Sequence, residues 1–146
     1  MSKITASEVN KLRKQTGAGM LDCKNALVES KGDFEKAIDI LRKKGQKIAA
    51  KRADRSASEG VVISAVNSSK NIGIIVSLNC ETDFVAKNED FINLANSILE
   101  LAIKNETTTI EELNSLEFTN GKSIQDNIIE QAGIIGEKLE LSLKYV

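Results

Sequence analysis

The chain has 146 residues, 41% of them hydrophobic, and a formal net charge of −1 at pH 7. That length and composition fit one or two small domains with hydrophobic cores. The sequence contains no run of the roughly eighteen consecutive apolar residues that are typical of a membrane span, and its N-terminus lacks the pattern of a secretory signal. We therefore expect a cytoplasmic protein that does not act in a membrane.

The charges are distributed unevenly along the chain. Residues 1–55 contain 14 Lys and Arg against 7 Asp and Glu, whereas residues 56–146 contain 6 against 14. Such a division is typical of two modules with different surroundings. The basic part could attract RNA or an acidic protein surface, but its only aromatic residue is Phe34. Because single-stranded RNA is bound largely by stacking on aromatic rings, the sequence argues against direct nucleic-acid binding.

The first predicted helix begins at Ala6. Thr5 followed three residues later by Glu8 is the pattern of a capping box, in which the two side chains bind each other's backbone N–H groups. We expect the helix to end near Gln15, because Gly17 then allows a backbone turn with a positive φ angle. A short turn therefore separates this helix from the next one.

Two further helices are predicted up to residue 45. The second covers residues 20–30 and ends before Gly32, and the third begins after the capping residue Asp33 and ends at Gly45. Apolar residues with the spacing of one buried helix face are Phe34, Ala37, Ile38 and Leu41. We predict a three-helix domain over residues 1–45, which resembles the ubiquitin-associated fold.

The rest of the chain is predicted to form a linker and a second domain. Residues 46–59 are basic and rich in alanine, which is typical of a linker or a helical extension. Residues 60–146 combine strand and helix patterns, with strands predicted at 61–66, 72–78 and 139–145 and helices beginning after Asn88, Thr109 and at Ser123. The first two strands form a hairpin and the third joins it. We therefore expect an α+β fold in which helices pack on a three-stranded antiparallel sheet.

Two segments carry most of the functional information. Residues 80–87 read Cys-Glu-Thr-Asp-Phe-Val-Ala-Lys and begin where the second predicted strand ends. A carboxylate beside an aromatic ring at a strand exit is suited to insertion into another molecule's surface. Residues 12–27 read Leu-Arg-Lys-Gln-Thr-Gly-Ala-Gly-Met-Leu-Asp-Cys-Lys-Asn-Ala-Leu. In this order and separation, the two segments resemble the signatures of the bacterial elongation factor Ts family, the nucleotide exchange factors of elongation factor Tu.

The resemblance implies a guanine nucleotide exchange factor and not an enzyme. In that family the segment that corresponds to Thr82, Asp83, Phe84 and Val85 inserts beside the magnesium region of elongation factor Tu. The resemblance therefore implies that Asp83 disturbs the hydrogen bonds around the metal. It also implies that Phe84 forces apart the helices that hold the phosphate loop of the partner, so that GDP is released.

The resemblance also implies a docking role for the N-terminal segment. Met20 and Leu21 would supply apolar contacts to the nucleotide-binding domain of elongation factor Tu, with Leu12, Arg13 and Lys24 at the edge of the patch. An alternative for Met20 is a core position, because its spacing also fits an inward-facing helical stripe. The two interpretations differ in whether the side chain of Met20 is exposed or buried.

Two other classes of protein are compatible with parts of the sequence. A ubiquitin-associated-type or nascent-chain binding module without exchange activity would explain the three helices but would leave Asp83 and Phe84 without a role. An enzyme could use Cys80 or Asp83, but the chain contains no histidine to act as a partner base. Without histidine, Cys23 and Cys80 also cannot form a Cys/His metal site, so we predict two reduced cysteines, no metal and no cofactor.

Overall fold

A computed structural model describes residues 3–119 and 121–146 of the chain. The described residues form seven α-helices and three β-strands, which confirms the predicted α+β class. In chain order they are α1 (Ala6–Thr16), α2 (Met20–Glu29), α3 (Phe34–Lys51), β1 (Glu59–Val66), β2 (Gly73–Cys80), α4 (Asp83–Ala86), α5 (Glu89–Lys104), α6 (Ile110–Ser115), α7 (Ile124–Ile135) and β3 (Glu140–Tyr145). Within this part of the chain, no helix is both long enough and apolar enough to cross a membrane.

The chain divides into two compact units. A helical unit contains the residues up to Ala53 together with Ile129–Gly136, and a mixed unit contains Asp54–Ile128 and Glu137–Val146. The helix α7 therefore contributes residues to both units. The predicted division of the chain into residues 1–45, 46–59 and 60–146 remains a prediction. Residues 1 and 2 lie outside the residues that the structure describes.

The start of α1 has the predicted capping box. The backbone N–H of Thr5 donates to the Glu8 carboxylate over 2.7 Å, and the backbone N–H of Glu8 donates to the Thr5 hydroxyl over 3.2 Å. These contacts satisfy donors that a helix start leaves without intrahelical partners. At the other end, Gly17 adopts a φ of 70°, the left-handed conformation that favours glycine. The predicted first helix and its turn are thus confirmed.

The third helix is longer than predicted. Gly45 was expected to end it, but α3 continues through Gly45 to Lys51. Glycine inside a helix costs only about 1 kcal/mol relative to alanine, which packing can offset. A Cβ atom on Gly45 would lie 3.3 Å from Cγ2 of Ile129 in the same unit, so the missing side chain allows a close approach there. The prediction of a helix end at Gly45 was wrong, because α3 extends to Lys51.

The helical unit has its own hydrophobic core. The apolar side chains of α1, α2 and α3 meet there, and the partly buried Phe34, Ile38 and Leu41 of α3 pack against the buried set. The buried residues are Val9, Leu12, Cys23, Ala26, Leu27 and Ala37. Burial of about 0.8 kcal/mol per CH₂ group makes this cluster the main source of stability for the three helices. The resemblance to the ubiquitin-associated fold remains a prediction.

The mixed unit is organised around β2, the central strand of a sheet with the order β1-β2-β3. Both pairings are antiparallel, with Ser64 opposite Ile75 in the hairpin and Leu78 opposite Leu141 in the second pairing. The predicted hairpin and the predicted third strand are confirmed. Alternate side chains of β2 are buried, namely Ile74, Val76, Leu78 and Cys80, and α5 packs on β1 and β2. Because β2 is paired on both sides, its C-terminal end is held in place. The residues that follow Cys80 leave the sheet at that end.

Candidate functional site

The segment after β2 turns directly into a short helix. Thr82 is the N-cap of α4, and its hydroxyl accepts a hydrogen bond from the backbone N–H of Val85 over 3.5 Å. Asn88 then caps α5 by accepting from the backbone N–H of Asp90 over 2.9 Å. We call residues 81–87 the corner segment. Because both of its ends continue into regular elements, the corner segment is held at a defined place on the mixed unit.

Asp83 and Phe84 point away from the fold. The side chain of Phe84 is 83% exposed, the highest fraction among the large hydrophobic residues of the described chain. Asp83 is also exposed, and its carboxylate lies 3.4 Å from the ammonium group of Lys87 one helical turn later. Thr82 and Val85 are half-buried. An isolated exposed aromatic ring beside a carboxylate contributes little to the fold and is available for a partner.

A carboxylate far away in the sequence holds the base of this corner segment. Oε1 of Glu137 accepts hydrogen bonds from the backbone N–H groups of Glu81 and Thr82, over 2.9 Å and 3.0 Å. Its Oε2 accepts a hydrogen bond from the Thr82 hydroxyl over 2.7 Å. Hydrogen bonds to an ionised acceptor are among the stronger ones in proteins. Glu137 thus fixes both the backbone and the side chain of the residue that caps α4.

Glu81 makes the reciprocal contacts. Its Oε1 accepts from the backbone N–H of Lys138 over 2.6 Å and faces the guanidinium group of Arg55 at 3.4 Å. Sequence reasoning missed this pair of carboxylates because they are more than fifty residues apart. A signal was available, since the antiparallel register that places Asn79 opposite Glu140 continues to place Glu81 opposite Lys138. Finding it required the exact strand pairing, which the sequence pattern does not specify.

The two cysteines have no reactive surroundings. Both are buried, and neither is in a disulfide. Burial raises the pKa of the Cys80 thiol, and the nearby Glu137 carboxylate raises it further. Burial is also the main reason why the pKa of Cys23 is raised. Both thiols are therefore mainly protonated at neutral pH and are poor nucleophiles.

The predicted docking residues fall into an exposed and a buried group. Met20 and Leu21 are 49% and 70% exposed at the start of α2, and Arg13 and Lys24 are exposed as well. The surface position of Met20 excludes the alternative that it belongs to the core. Leu12 differs, since its side chain is fully buried in the helical unit. A buried side chain cannot contact a partner directly, so the expectation that Leu12 lies in the docking patch requires correction.

The structure brings the predicted site residues together in two places. Thr82, Asp83, Phe84 and Val85 lie in the mixed unit, whereas the exposed docking residues lie in the helical unit. Among the residues that the structure describes, no group of three or more Cys, Asp and Glu side chains is arranged to hold a metal ion. The arrangement offers contact surfaces and carboxylates that act as hydrogen-bond acceptors.

Comparison with known proteins adds independent information. The family model described as "Elongation factor TS" matches residues 81–144. A protein of Christiangramia forsetii named "Elongation factor Ts" is 59% identical over 97% of this chain and 50% of its own length. Proteins of the same name from Flavobacterium johnsoniae and Bacteroides thetaiotaomicron are 55% and 49% identical, over 97% and 94% of this chain and 43% and 41% of their own lengths.

The chain thus spans about half the length of the curated relatives that it matches. The residues that the family model matches include both the corner segment and Glu137. These are the two partners in the hydrogen bonds described above. The alignments with the relatives cover nearly the whole chain and therefore extend over the helical unit as well. On these grounds the chain belongs to the elongation factor Ts family.

Proposed function

We propose that this chain promotes release of GDP from elongation factor Tu and acts as a guanine nucleotide exchange factor. The observation that carries the proposal is the corner segment, in which the exposed Asp83 and Phe84 project from a backbone anchored at both ends. Membership in a family of proteins named elongation factor Ts supports the choice of partner. The partner surface would be the nucleotide-binding domain of elongation factor Tu, in the cytoplasm.

The proposed mechanism changes no covalent bond in either protein. A GTPase holds GDP through backbone contacts to the phosphates and through a bound magnesium ion, so a disturbance of either loosens the nucleotide. Asp83 would compete for hydrogen-bond donors around that magnesium ion. Phe84 would wedge between the elements that support the phosphate loop. Thr82 and Val85 would hold these two side chains in place from the flanks of the segment.

Thermodynamic linkage explains how insertion can drive exchange. If the chain binds the nucleotide-free partner more tightly than the GDP-bound partner, GDP must bind the complex less tightly by the same factor. The chain then speeds the exchange of bound for free nucleotide without altering the final equilibrium of its partner. No cofactor of its own is needed for this activity.

The proposed docking patch supplies affinity rather than exchange. Met20 and Leu21 are the proposed apolar contacts, and Arg13 and Lys24, which are also exposed, add positive charge to the same unit. The contribution of Leu12 is indirect, because as a core residue it holds α1 in place. Apolar side chains at the centre of an interface with charged residues at its edge are the common arrangement in protein complexes.

One observation favours a second candidate function. The start of α2 exposes Met20 and Leu21 together on a small helical unit, a surface that suits a ubiquitin-type or nascent-chain ligand. Such a module would not use the corner segment. A pull-down with polyubiquitin distinguishes the two functions, since the exchange proposal expects no retention and the binding-module proposal expects retention that Met20→Ala abolishes.

The direct test of the proposed function is stopped-flow release of a fluorescent GDP from elongation factor Tu. Increasing amounts of this chain should accelerate release up to a plateau, while the final ratio of bound nucleotides follows the ratio in solution. Bovine serum albumin at the same concentration serves as a control for non-specific effects. An unchanged release rate at the highest concentration of the chain would contradict the proposal.

A further inference from the structure

We propose that Glu137 is a positioning residue that orients Asp83 and Phe84 for insertion into the partner. This inference rests on the proposed exchange function, because it explains how the corner segment is prepared for that task. Glu137 does not itself touch the partner in this account. It acts through Thr82, whose backbone and side chain it binds at the same time.

The first argument is the geometry of the Glu137 carboxylate. One oxygen accepts both consecutive backbone N–H groups, those of Glu81 and Thr82, and the other accepts the Thr82 hydroxyl. Three donors on two adjacent residues fix the direction in which the chain leaves β2, since moving any one of them would lengthen the other contacts. A carboxylate used only for solubility would face water instead.

The second argument is that the connection runs in both directions. While Glu137 holds the backbone at residues 81 and 82, the carboxylate of Glu81 holds the backbone N–H of Lys138 over 2.6 Å. The guanidinium group of Arg55 lies 3.4 Å from the same oxygen of Glu81. The side chain of Glu81 is largely buried, with only 22% of its surface exposed. The two backbone segments, 81–82 and 137–138, thus hold each other by contacts in both directions. These contacts restrain the translation and the rotation of one segment relative to the other.

The third argument connects this anchor to the exposed ring. The Thr82 hydroxyl donates to Glu137 and accepts from the backbone N–H of Val85, so one atom joins the anchor to the first turn of α4. A helix of four residues is too short to be stable by itself. Because Phe84 is almost fully exposed, its orientation must come from the backbone that carries it.

A consequence for exchange follows from this arrangement. Without the Glu137 carboxylate, α4 would sample more orientations in the free chain, and ordering them on insertion would cost free energy. The docking residues Met20 and Leu21 lie in the helical unit and would be unchanged. We therefore expect Glu137→Ala to lower the maximal rate of GDP release by about fivefold or more, with little change in the half-saturating concentration.

The test compares three variants of the chain in the GDP-release assay, with amide hydrogen exchange as a second measurement. Glu137→Ala removes all three acceptor contacts. Glu137→Gln keeps one carbonyl oxygen for the two amides and retains the shape of the side chain, so its maximal rate should lie between those of the wild type and Glu137→Ala. Glu140→Ala is the matched control, because it removes the same charge from an exposed position on β3 three residues later.

A further comparison separates positioning from general stability. If Glu137 acts through Asp83 and Phe84, then Glu137→Ala should cause little additional loss of maximal rate in a chain that already carries both Asp83→Ala and Phe84→Ala. The amides of Glu81 and Thr82 should exchange faster in Glu137→Ala than in the wild type and in Glu140→Ala. If Glu137→Ala does not fold, the comparison uses Glu137→Gln in both backgrounds.

Several results would overturn the proposal. A wild-type maximal rate in Glu137→Ala would do so, and so would an equal fold-loss from Glu137→Ala in the wild-type chain and in a chain that carries Asp83→Ala and Phe84→Ala. If the wild-type chain itself fails to accelerate GDP release, the proposed function has failed, and amide exchange alone decides the inference. In that case, unchanged protection of Glu81 and Thr82 in Glu137→Ala would contradict the positioning role.

Discussion

At the scale of single residues, Asp83 and Phe84 differ from the residues around them in what they contribute to the fold. Their side chains are exposed, whereas Thr82 on one side and Val85 on the other are half-buried. A residue that adds little to stability can be changed with little effect on the fold, so mutations here report mainly on contacts with a partner. The positions that hold the corner segment and the positions that are proposed to act on the partner are therefore separable.

Replacement of Asp83 by alanine should lower the maximal rate of GDP release without unfolding the chain. The ion pair with Lys87 is exposed and is worth about 1 kcal/mol or less, so its loss changes the melting temperature by only a few degrees. The rate loss should be larger at high magnesium concentration if the carboxylate acts near the metal. The measurement is GDP release at two magnesium concentrations.

Lys87→Ala is the control for this prediction, because it removes the same ion pair and leaves the carboxylate in place. It should retain nearly the wild-type release rate at both magnesium concentrations. If Lys87→Ala and Asp83→Ala lose activity equally, the ion pair and not the carboxylate is what matters, and the role proposed for Asp83 is wrong.

The cysteines allow a prediction about pH. Because burial raises the pKa of both thiols, the thiolate fraction at any given neutral pH is lower than for a free cysteine, and it increases as the pH rises. Iodoacetamide should therefore modify Cys23 and Cys80 slowly in the native chain at pH 7 and much faster in denaturant. Mass spectrometry at timed intervals measures this. Rapid native alkylation of Cys80 would show that it is accessible and reactive.

At the scale of elements, the structure separates features that follow from local sequence from features that need long-range packing. The capping box at Thr5 and Glu8 and the β1–β2 hairpin were predicted because a few neighbouring residues determine them. The local pattern placed the end of α3 at Gly45, whereas the helix continues past a point where Gly45 lies close to Ile129, which is distant in sequence. The Glu137 contacts were missed for the same reason.

The docking patch at the start of α2 gives a prediction at this scale. Replacing Met20 and Leu21 together by alanine should raise the half-saturating concentration in the release assay and leave the maximal rate nearly unchanged. Lost burial of the two side chains is worth about 2 to 4 kcal/mol in total if a partner covers both fully. Because both are exposed in the free chain, the melting temperature should change little.

Val62→Ala provides the control for the docking prediction, because it shortens an exposed apolar side chain of β1 outside the patch. It should leave the half-saturating concentration unchanged. A double variant of Met20 and Leu21 that is largely unfolded by thermal melting would show that these residues support the fold, and the docking role would have to be abandoned.

At the scale of the whole molecule, the N-terminal and C-terminal parts of the sequence differ in charge, and the two units differ in proposed task. Residues 1–55 carry a formal charge of +7 and residues 56–146 one of −8, a difference that was visible in the sequence. The sequence also predicted which side chains belong to each proposed task. It did not indicate that Leu12 is fully buried, because the face of a helix that meets its neighbours depends on how the three helices pack.

The central claim is that Phe84 acts on the partner and not on the fold of its own chain. The most direct measurement compares thermal melting with GDP release at saturating concentrations for Phe84→Ala and the wild type. We expect the melting temperatures to agree within about 4 °C, as for a surface substitution, while the maximal release rate falls by about tenfold or more. A variant that loses stability and activity in proportion, or that keeps the full release rate, would contradict this account.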